Sequence, residues 1–172
     1  MILRGWTDSD VEAWAEMNLD PRVMEFFPGT QERERSLASA NAMRMELDRD
    51  GYGWFVAEVK GKIPFAGVIA LQPVPFKAHF TPAREIGWRF VAKAWGHGYA
   101  TEAAAAALDH AFKKLDWNQV VAMTAAINSP SRRVMERLGM THDPSDDFDH
   151  PRLDATHALS RHVLYRATRK TF

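Results

Sequence analysis

The sequence has no cysteine among its 172 residues. A disulfide framework, a thiol nucleophile and a thiolate metal site are therefore excluded, and a reducing compartment is the simplest setting. Excess charge is absent too, because Lys and Arg total 22 and Asp and Glu also total 22. That balance predicts partners other than nucleic acid or an anionic membrane surface, so any acidic ligand must be held by local contacts.

Long apolar runs are also missing. No stretch approaches the ~20 residues that a membrane span needs, and the segment from Met1 to Asp8 lacks a basic flank followed by an apolar run. These absences predict a cytoplasmic protein without a targeting segment. With no repeat, low-complexity tract or linker, we expect one domain over residues 1–172.

Apolar spacing in the first third of the chain is mainly helical. Four elements are predicted there: a short strand at 2–4, a helix capped by Thr7 or Asp8, a short helix from Pro21 to Phe27, and a long helix that Thr30 opens and Gly51 ends.

After Gly51 the period of the apolar residues becomes 2, which predicts strands. A hairpin is expected at 53–60 and 63–71 around Gly61-Lys62, followed by a proline-rich loop or irregular strand entry at 72–82 and a strand at 84–91. An Ala-rich helix at 98–115, a central strand at 119–127, a helix that Ser129 caps and Gly139 ends, and a strand at 162–168 complete an α/β (α+β) fold.

The most informative stretch links the strand at 84–91 to the Ala-rich helix. It reads Trp95-Gly96-His97-Gly98-Tyr99-Ala100-Thr101. Glycines there let an anion approach the backbone, and the helix start supplies unpaired N–H groups and the positive end of the helix dipole. This pattern predicts a phosphate cradle without a lysine.

Two common phosphate loops fit the stretch poorly. The sequence has no Gly-Lys-Ser/Thr, which argues against nucleoside triphosphate hydrolysis. A dinucleotide fingerprint requires Gly or Ala where this chain has Thr101, and it belongs to a repeated βαβ array.

The stretch resembles the pyrophosphate loop of the GNAT acyltransferase superfamily, Gln/Arg-x-x-Gly-x-Gly/Ala, with Gly98 and Ala100 in the two small positions and Trp95 at the start. The residues of this stretch are similar to those found in the GNAT branch that contains the RimJ/RimL-type ribosomal-protein N-terminal acetyltransferases. A second segment of that branch is matched by Asn128-Ser129-Pro130-Ser131-Arg132-Arg133-Val134-Met135-Glu136-Arg137-Leu138-Gly139-Met140.

The resemblance implies a mixed, mostly antiparallel sheet flanked by helices, with splayed central strands. It also implies acetyl-CoA as co-substrate, without a metal, and direct transfer of acetyl to a primary amine in a ternary complex. The acceptor is then a small amine or a protein N-terminus, and the enzyme is a monomer or a homodimer. The alternative is a CoA- or acyl-CoA-binding sensor or scaffold of the same fold that has lost the chemistry.

The same resemblance implies the roles of individual residues. Glu85 is the expected general base, with Glu58 as a rival, unless Glu85 is paired with Arg84 or Arg89. Many GNAT enzymes place a thiol-protonating tyrosine where this chain has Met135, so Ser131 is the expected acid and cofactor contact. The expected cofactor-binding set is Phe90, Val91, Trp95, Gly96, His97, Gly98, Tyr99, Ala100, Thr101, Asn128 and Ser131.

Some residues have simpler interpretations. Asn128 can serve its own turn, and the spacing of His142, His150, His157 and His162 favours surface or pocket histidines over a metal site. Phe26, Phe27, Trp54 and Trp88 are candidates for an acceptor pocket or for the core. The acidic segment 146–151 is a candidate acceptor lid whose charge suits a cationic amine.

Overall fold

The structure is a computed structural model that describes residues 1–170 and 172. Within these residues there are eight strands: β1 Ile2–Arg4, β2 Trp54–Val59, β3 Ile63–Pro73, β4 Arg84–Phe90, β5 Gln119–Ala125, β6 Thr141–His142, β7 Phe148–Asp149 and β8 Arg161–Thr168. Four α-helices are present in the same residues: α1 Asp8–Leu19, α2 Arg33–Asp50, α3 Tyr99–Lys113 and α4 Ser129–Arg137.

Hydrogen bonds order the strands as β1-β2-β3-β4-β5-β8-β6, with β7 also paired to β8. The pairings of β1 with β2, β2 with β3, and β8 with β5, β6 and β7 are antiparallel. Strand β4 pairs with β5 in parallel, with Glu85 opposite Val121. The predicted mixed, mostly antiparallel sheet with helices is confirmed.

The chain divides into two compact units, which we call unit 1 (Met1–Ala70 and Trp88–Ala103) and unit 2 (Leu71–Gly87 and Ala104–Phe172). Each is described by itself below. That residues 1–172 act as one domain stays a prediction.

Unit 1 contains β1, α1, α2 and the β2–β3 hairpin. A capping box at Thr7 and Asp10 starts α1, and Gly51 ends α2 in the left-handed conformation at φ +71°. Trp14 packs edge-on against Trp6 in its core, with ring centroids 6.1 Å apart. Burial of these rings stabilises the core of unit 1.

Unit 2 contains β5, α4, most of α3 and the last three strands. Seven residue pairs join β5 to β8, from Gln119 with Thr168 to Ala125 with His162. Buried Val121, Leu164 and Phe148 form a core cluster. Val120 and Val121 are both buried, so β5 is apolar on both faces, as predicted for a central strand.

Three sequence-based expectations differ from the structure. Residues 21–26 form turns and no helix, because Asp20 bonds the backbone and side chain of Arg22, and so short a segment cannot offset helix nucleation. Helix α2 begins after Glu32, later than Thr30. Asn128, one residue before Ser129, caps α4.

None of the helices in the described residues has the length and hydropathy that a bilayer-crossing segment requires. The cytoplasmic location stays a prediction.

Candidate active site

The predicted phosphate cradle lies in unit 1. Gly96 and Gly98 have φ values of +79° and +76°, a conformation that glycine adopts without steric cost. The Glu102 N–H donates to the Gly98 carbonyl at 3.0 Å, so the amides of the preceding residues, Tyr99 to Thr101, have no carbonyl in an earlier helical turn. Together with the helix dipole, these amides give the helix start the chemistry that suits an anion.

The space next to the cradle is open. A Cβ built on Gly96 or Gly98 would meet no heavy atom within 4 Å. A ligand phosphate therefore has room to approach the backbone at both glycines.

Side chains hold the loop before α3 in place. Trp95 Nε1 donates to the Phe90 carbonyl at 2.9 Å, which ties the loop to the end of β4. The His97 ring lies 5.2 Å from the Tyr99 ring in a stacked arrangement, and its Nδ1 is 2.7 Å from the Trp95 carbonyl oxygen. The cradle is therefore preorganised before any ligand binds.

The end of β4 is packed closely on β3. The Val91 N–H donates to the Ala66 carbonyl at 3.0 Å, and the Phe90 side chain is buried. A Cβ on Gly67 would collide with the Arg89 carbonyl oxygen and come within 2.7 Å of Phe90 Cα. Glycine is therefore required at position 67 for this approach of the two strands.

Glu85 lies in unit 2, in the first half of β4. Its carboxylate accepts a hydrogen bond from Gln72 Nε2 at 2.5 Å. Burial raises the pKa of Glu85 above its ordinary value of 4.5, while the Gln72 hydrogen bond and the charge of Arg152 act in the opposite direction.

Asn128 and Ser131 form a local network in unit 2. The Ser131 N–H donates to Asn128 Oδ1 at 3.2 Å, which fixes the orientation of the amide. Asn128 Nδ2 then donates to Thr124 Oγ1 at 2.8 Å and to Ser131 Oγ at 3.2 Å. The Asn128 side chain thus caps α4, and the Ser131 hydroxyl hydrogen can be donated outward.

The rival residues have structural partners. Glu58 Oε2 accepts from Arg4 Nε at 2.7 Å in unit 1 and is held in an ion pair. Met135, where the resemblance places a tyrosine, is fully buried at 1% exposure. Glu58 is therefore engaged by Arg4, and a methionine thioether has no proton to donate.

The carboxylates of the candidate lid are already paired within unit 2. Asp146 contacts Arg166 and His79, and Asp149 lies 3.5 Å from Arg161 Nη1. These contacts reduce the negative charge that the segment presents. The attraction for a cationic amine that we expected from the sequence is weakened accordingly.

Most of the four histidines weighed as metal ligands, His142, His150, His157 and His162, contact aromatic rings or polar groups. The rings of His150 and His162 are 4.8 Å apart, and His142 Nε2 lies 2.8 Å from Asp147 Oδ1. Burial lowers the pKa of both His150 and His162. Within residues 1–170 and 172 no group of three or more His, Cys, Asp or Glu side chains is placed to hold a metal ion.

Sequence reasoning missed several partners. Gln72 was placed in a loop or an irregular strand entry and had no assigned role, whereas β3 continues to Pro73 and the Gln72 amide reaches Glu85. Arg152 carried no motif, and Arg89 was considered only as a partner for Glu85. Of the candidate pocket aromatics, Phe27 contacts the guanidinium of Arg89, and Trp54 packs on Trp14 at 5.9 Å.

The glycine loop at the start of α3 and the mixed sheet with its parallel β4–β5 pairing agree with the fold that the resemblance to GNAT acyltransferases implies. The model of the acetyltransferase (GNAT) domain matches residues 1–141. The chain belongs to this family and is an N-acetyltransferase by class.

Two relatives illustrate the sequence similarity. The chain is 31% identical over 121 residues to the uncharacterized protein YkkB of Bacillus subtilis, a match that covers 70% of this chain and 69% of YkkB. It is 33% identical over 135 residues to the FsC-acetyl coenzyme A-N(2)-transacetylase of Aspergillus fumigatus, covering 74% of this chain and 56% of that protein.

Solved structures share the fold. A GNAT-family acetyltransferase from Bacillus anthracis matches with a TM-score of 0.78 and 27% identity, over 98% of this chain and 94% of that one. Mycobacterium smegmatis RimJ, solved in complex with CoA-disulfide, matches with a TM-score of 0.75 and 24% identity, over 98% and 81%. The expected family is confirmed, and RimJ is among the proteins of the same fold.

Proposed function

We propose that this chain transfers the acetyl group of acetyl-CoA to a primary amine by direct attack in a ternary complex. The observation that carries the proposal is the pair of left-handed glycines, Gly96 and Gly98, immediately before α3. Their open surroundings and the unpaired amides of the first helical turn suit the pyrophosphate of CoA. The name of the Aspergillus relative, an acetyl coenzyme A N(2)-transacetylase, supports the same donor and a nitrogen acceptor.

In this proposal the expected cofactor-binding residues have different roles. The backbone from Gly96 to Thr101, including His97, Tyr99 and Ala100, binds the pyrophosphate. The backbone at Phe90 and Val91 runs beside the pantetheine arm, and Trp95 braces the loop through its bond to Phe90. Asn128 acts by orienting Ser131, since its amide is used in capping α4.

Glu85 is the proposed general base, acting on the amine directly or through a water. A carboxylate whose pKa is raised is, in its ionised form, a better proton acceptor than an ordinary carboxylate. An α-amine, with an ordinary pKa of about 7.7 to 8.0, loses its proton far more readily than a lysine at about 10.4. Glu85 therefore suits an α-amine acceptor, of a small molecule or a peptide, better than a lysine side chain.

Ser131 is the proposed partner of the leaving thiolate. Its Oγ accepts from Asn128 Nδ2, so the hydroxyl hydrogen is free to point at a sulfur. A thiol with a pKa near ~8.5 leaves with little help, so this contact adds a modest factor to the rate and is not essential.

The test is to mix the purified chain with acetyl-CoA and a panel of amines, and to follow free thiol and the mass of the acetylated product. Turnover of an amine, abolished in a Glu85→Gln and Ser131→Ala double variant that still binds CoA in calorimetry, is the expected result. Absence of both turnover and CoA binding would overturn the proposal.

The second candidate, a non-catalytic CoA or acyl-CoA sensor, is favoured by one feature, the buried Met135 in place of a tyrosine. Tight CoA binding without transfer to any amine would select it.

A further inference from the structure

Arg89 is a cation buried among aromatic rings in unit 1. Its guanidinium carbon lies 3.9 Å from the centroid of the Phe27 ring and 4.9 Å from that of Trp14. Burial lowers the pKa of Arg89 to about 10, so the side chain is still protonated at neutral pH. A positive charge is therefore kept in a largely apolar environment.

The guanidinium has one side-chain partner that is neutral. Arg89 Nη1 donates to Asn18 Oδ1. Asn18 is itself fixed, because its Nδ2 donates to Ser36 Oγ at 3.1 Å and lies 3.4 Å from Gln31 Oε1. The Asn18 amide thus holds one corner of the guanidinium in a set orientation.

The opposite edge of the guanidinium has no partner in the described residues. Arg89 Nε is buried without a hydrogen bond, and no hydrogen bond of Nη2 is present in residues 1–170 and 172. These two nitrogens form the side of the planar group that binds a carboxylate through two parallel hydrogen bonds. Arg89 as a residue keeps part of its surface exposed, and Nη2, unlike Nε, is not among the buried atoms without a partner, so a ligand would approach this edge from the Nη2 side.

Arg4, in the same unit, is an arginine whose guanidinium hydrogen bonds are accepted by carboxylates. It bonds Asp10 Oδ2 at 2.6 Å, Asp10 Oδ1 at 3.0 Å and Glu58 Oε2 at 2.7 Å. Arg89 has no such carboxylate in the described residues, and no charged neighbour contributes to the shift of its pKa. A buried cation without an anion is costly, which favours an anion that arrives from outside the chain.

We propose that Arg89 binds a carboxylate of the acceptor, so that the substrates are amines that carry an acid group, such as amino acids. This deepens the proposed function and rests on it. A single arginine with aromatic walls matches one negative charge, whereas a phosphate dianion would call for a second cation. The Phe27 and Trp14 rings would then contact the apolar part of the same ligand.

The first experiment compares an amino acid with its amide as acceptors. Because the amine of the amide is also less basic, the readout is the acid-to-amide ratio of kcat/KM in the native chain and in Arg89→Met. We expect Arg89→Met to lower this ratio about 10- to 100-fold, the range for a charge-assisted pair of hydrogen bonds. The matched control is Arg84→Met, since Arg84 lies on the same strand with its guanidinium 5.1 Å from the Trp117 ring. The control should keep the preference.

The second experiment does not depend on turnover. Thermal shifts of the native chain and of Arg89→Met are measured with the acid, its amide, inorganic phosphate and CoA. Stabilisation by the acid that is lost in Arg89→Met, with CoA binding unchanged, supports the proposal even if no amine is acetylated, in which case the proposed transfer alone fails.

Four outcomes overturn the inference: equal effects on acid and amide in Arg89→Met, as a purely structural role predicts; loss of CoA binding in that variant; a response to phosphate in place of the acid; or no response to any anion.

Discussion

Replacing Gly98 by alanine separates the binding role of the cradle from its effect on folding. At φ +76° an added Cβ costs about 1–2 kcal/mol of backbone strain, and no protein atom lies within 4 Å to add a clash. Gly51 is a matched control, with φ +71° and equally open surroundings at the end of α2. In a chain of this size both variants should lose about 2–8 °C in Tm.

The two variants should differ in their affinity for CoA. A methyl group next to the amides of α3 displaces a phosphate oxygen from at least one charge-assisted hydrogen bond, which is about 1.5–3 kcal/mol, or about 10- to 100-fold in Kd. Calorimetry with CoA, at a temperature where both variants are folded, measures this difference. If Gly98→Ala binds CoA as tightly as Gly51→Ala does, the pyrophosphate does not sit at this helix start.

Three further results are expected. Glu85→Gln should abolish most of the turnover yet raise Tm at pH 7, because the raised pKa of Glu85 means that its ionised form opposes folding. The gain in Tm should disappear as the pH falls below 4.5, and a gain that stays constant with pH would contradict the argument. Ser131→Ala should lower kcat by less than Glu85→Gln does and leave Tm within about 1 °C, as followed by thiol release and thermal melts, whereas an equal loss of kcat would make Ser131 essential. Asp10→Ala should lower the free energy of unfolding by about 3 kcal/mol in urea titrations, because it removes a buried partner of Arg4 and the capping box of α1; a change under 1 kcal/mol would show that Glu58 alone satisfies Arg4.

Local signals in the sequence were enough to predict the glycine loop, the helix start that follows it and most of the elements. The two glycines, the helix start after them and the hairpin turn at Gly61 depend on residues within a few positions of one another. The capping box at Thr7 and the left-handed Gly51 are local in the same sense. The prediction of a helix at 21–27 was wrong because side-chain hydrogen bonds between Asp20 and Arg22 compete with the helix. Apolar spacing does not report such competition.

Assignments that depend on distant partners could not be made from the sequence. Gln72 reaches Glu85 only because β3 runs on to Pro73, and the prolines of this segment left a loop and an irregular strand entry both open. Asn18 and Arg89 are 71 positions apart, so their contact is invisible to any local window. The N-cap of α4 is a local feature, and its predicted position, Ser129, differs by one residue from the observed cap, Asn128.

The sequence by itself determined the acyltransferase family, the left-handed glycines and the start of α3, because backbone conformation and helix capping are set by neighbouring residues. Only the tertiary structure decided which charged groups are buried and with what partners. Burial of Glu85 raises its pKa, and burial of Arg89 leaves a cation without an anion, because desolvation depends on packing from elements far apart in the chain.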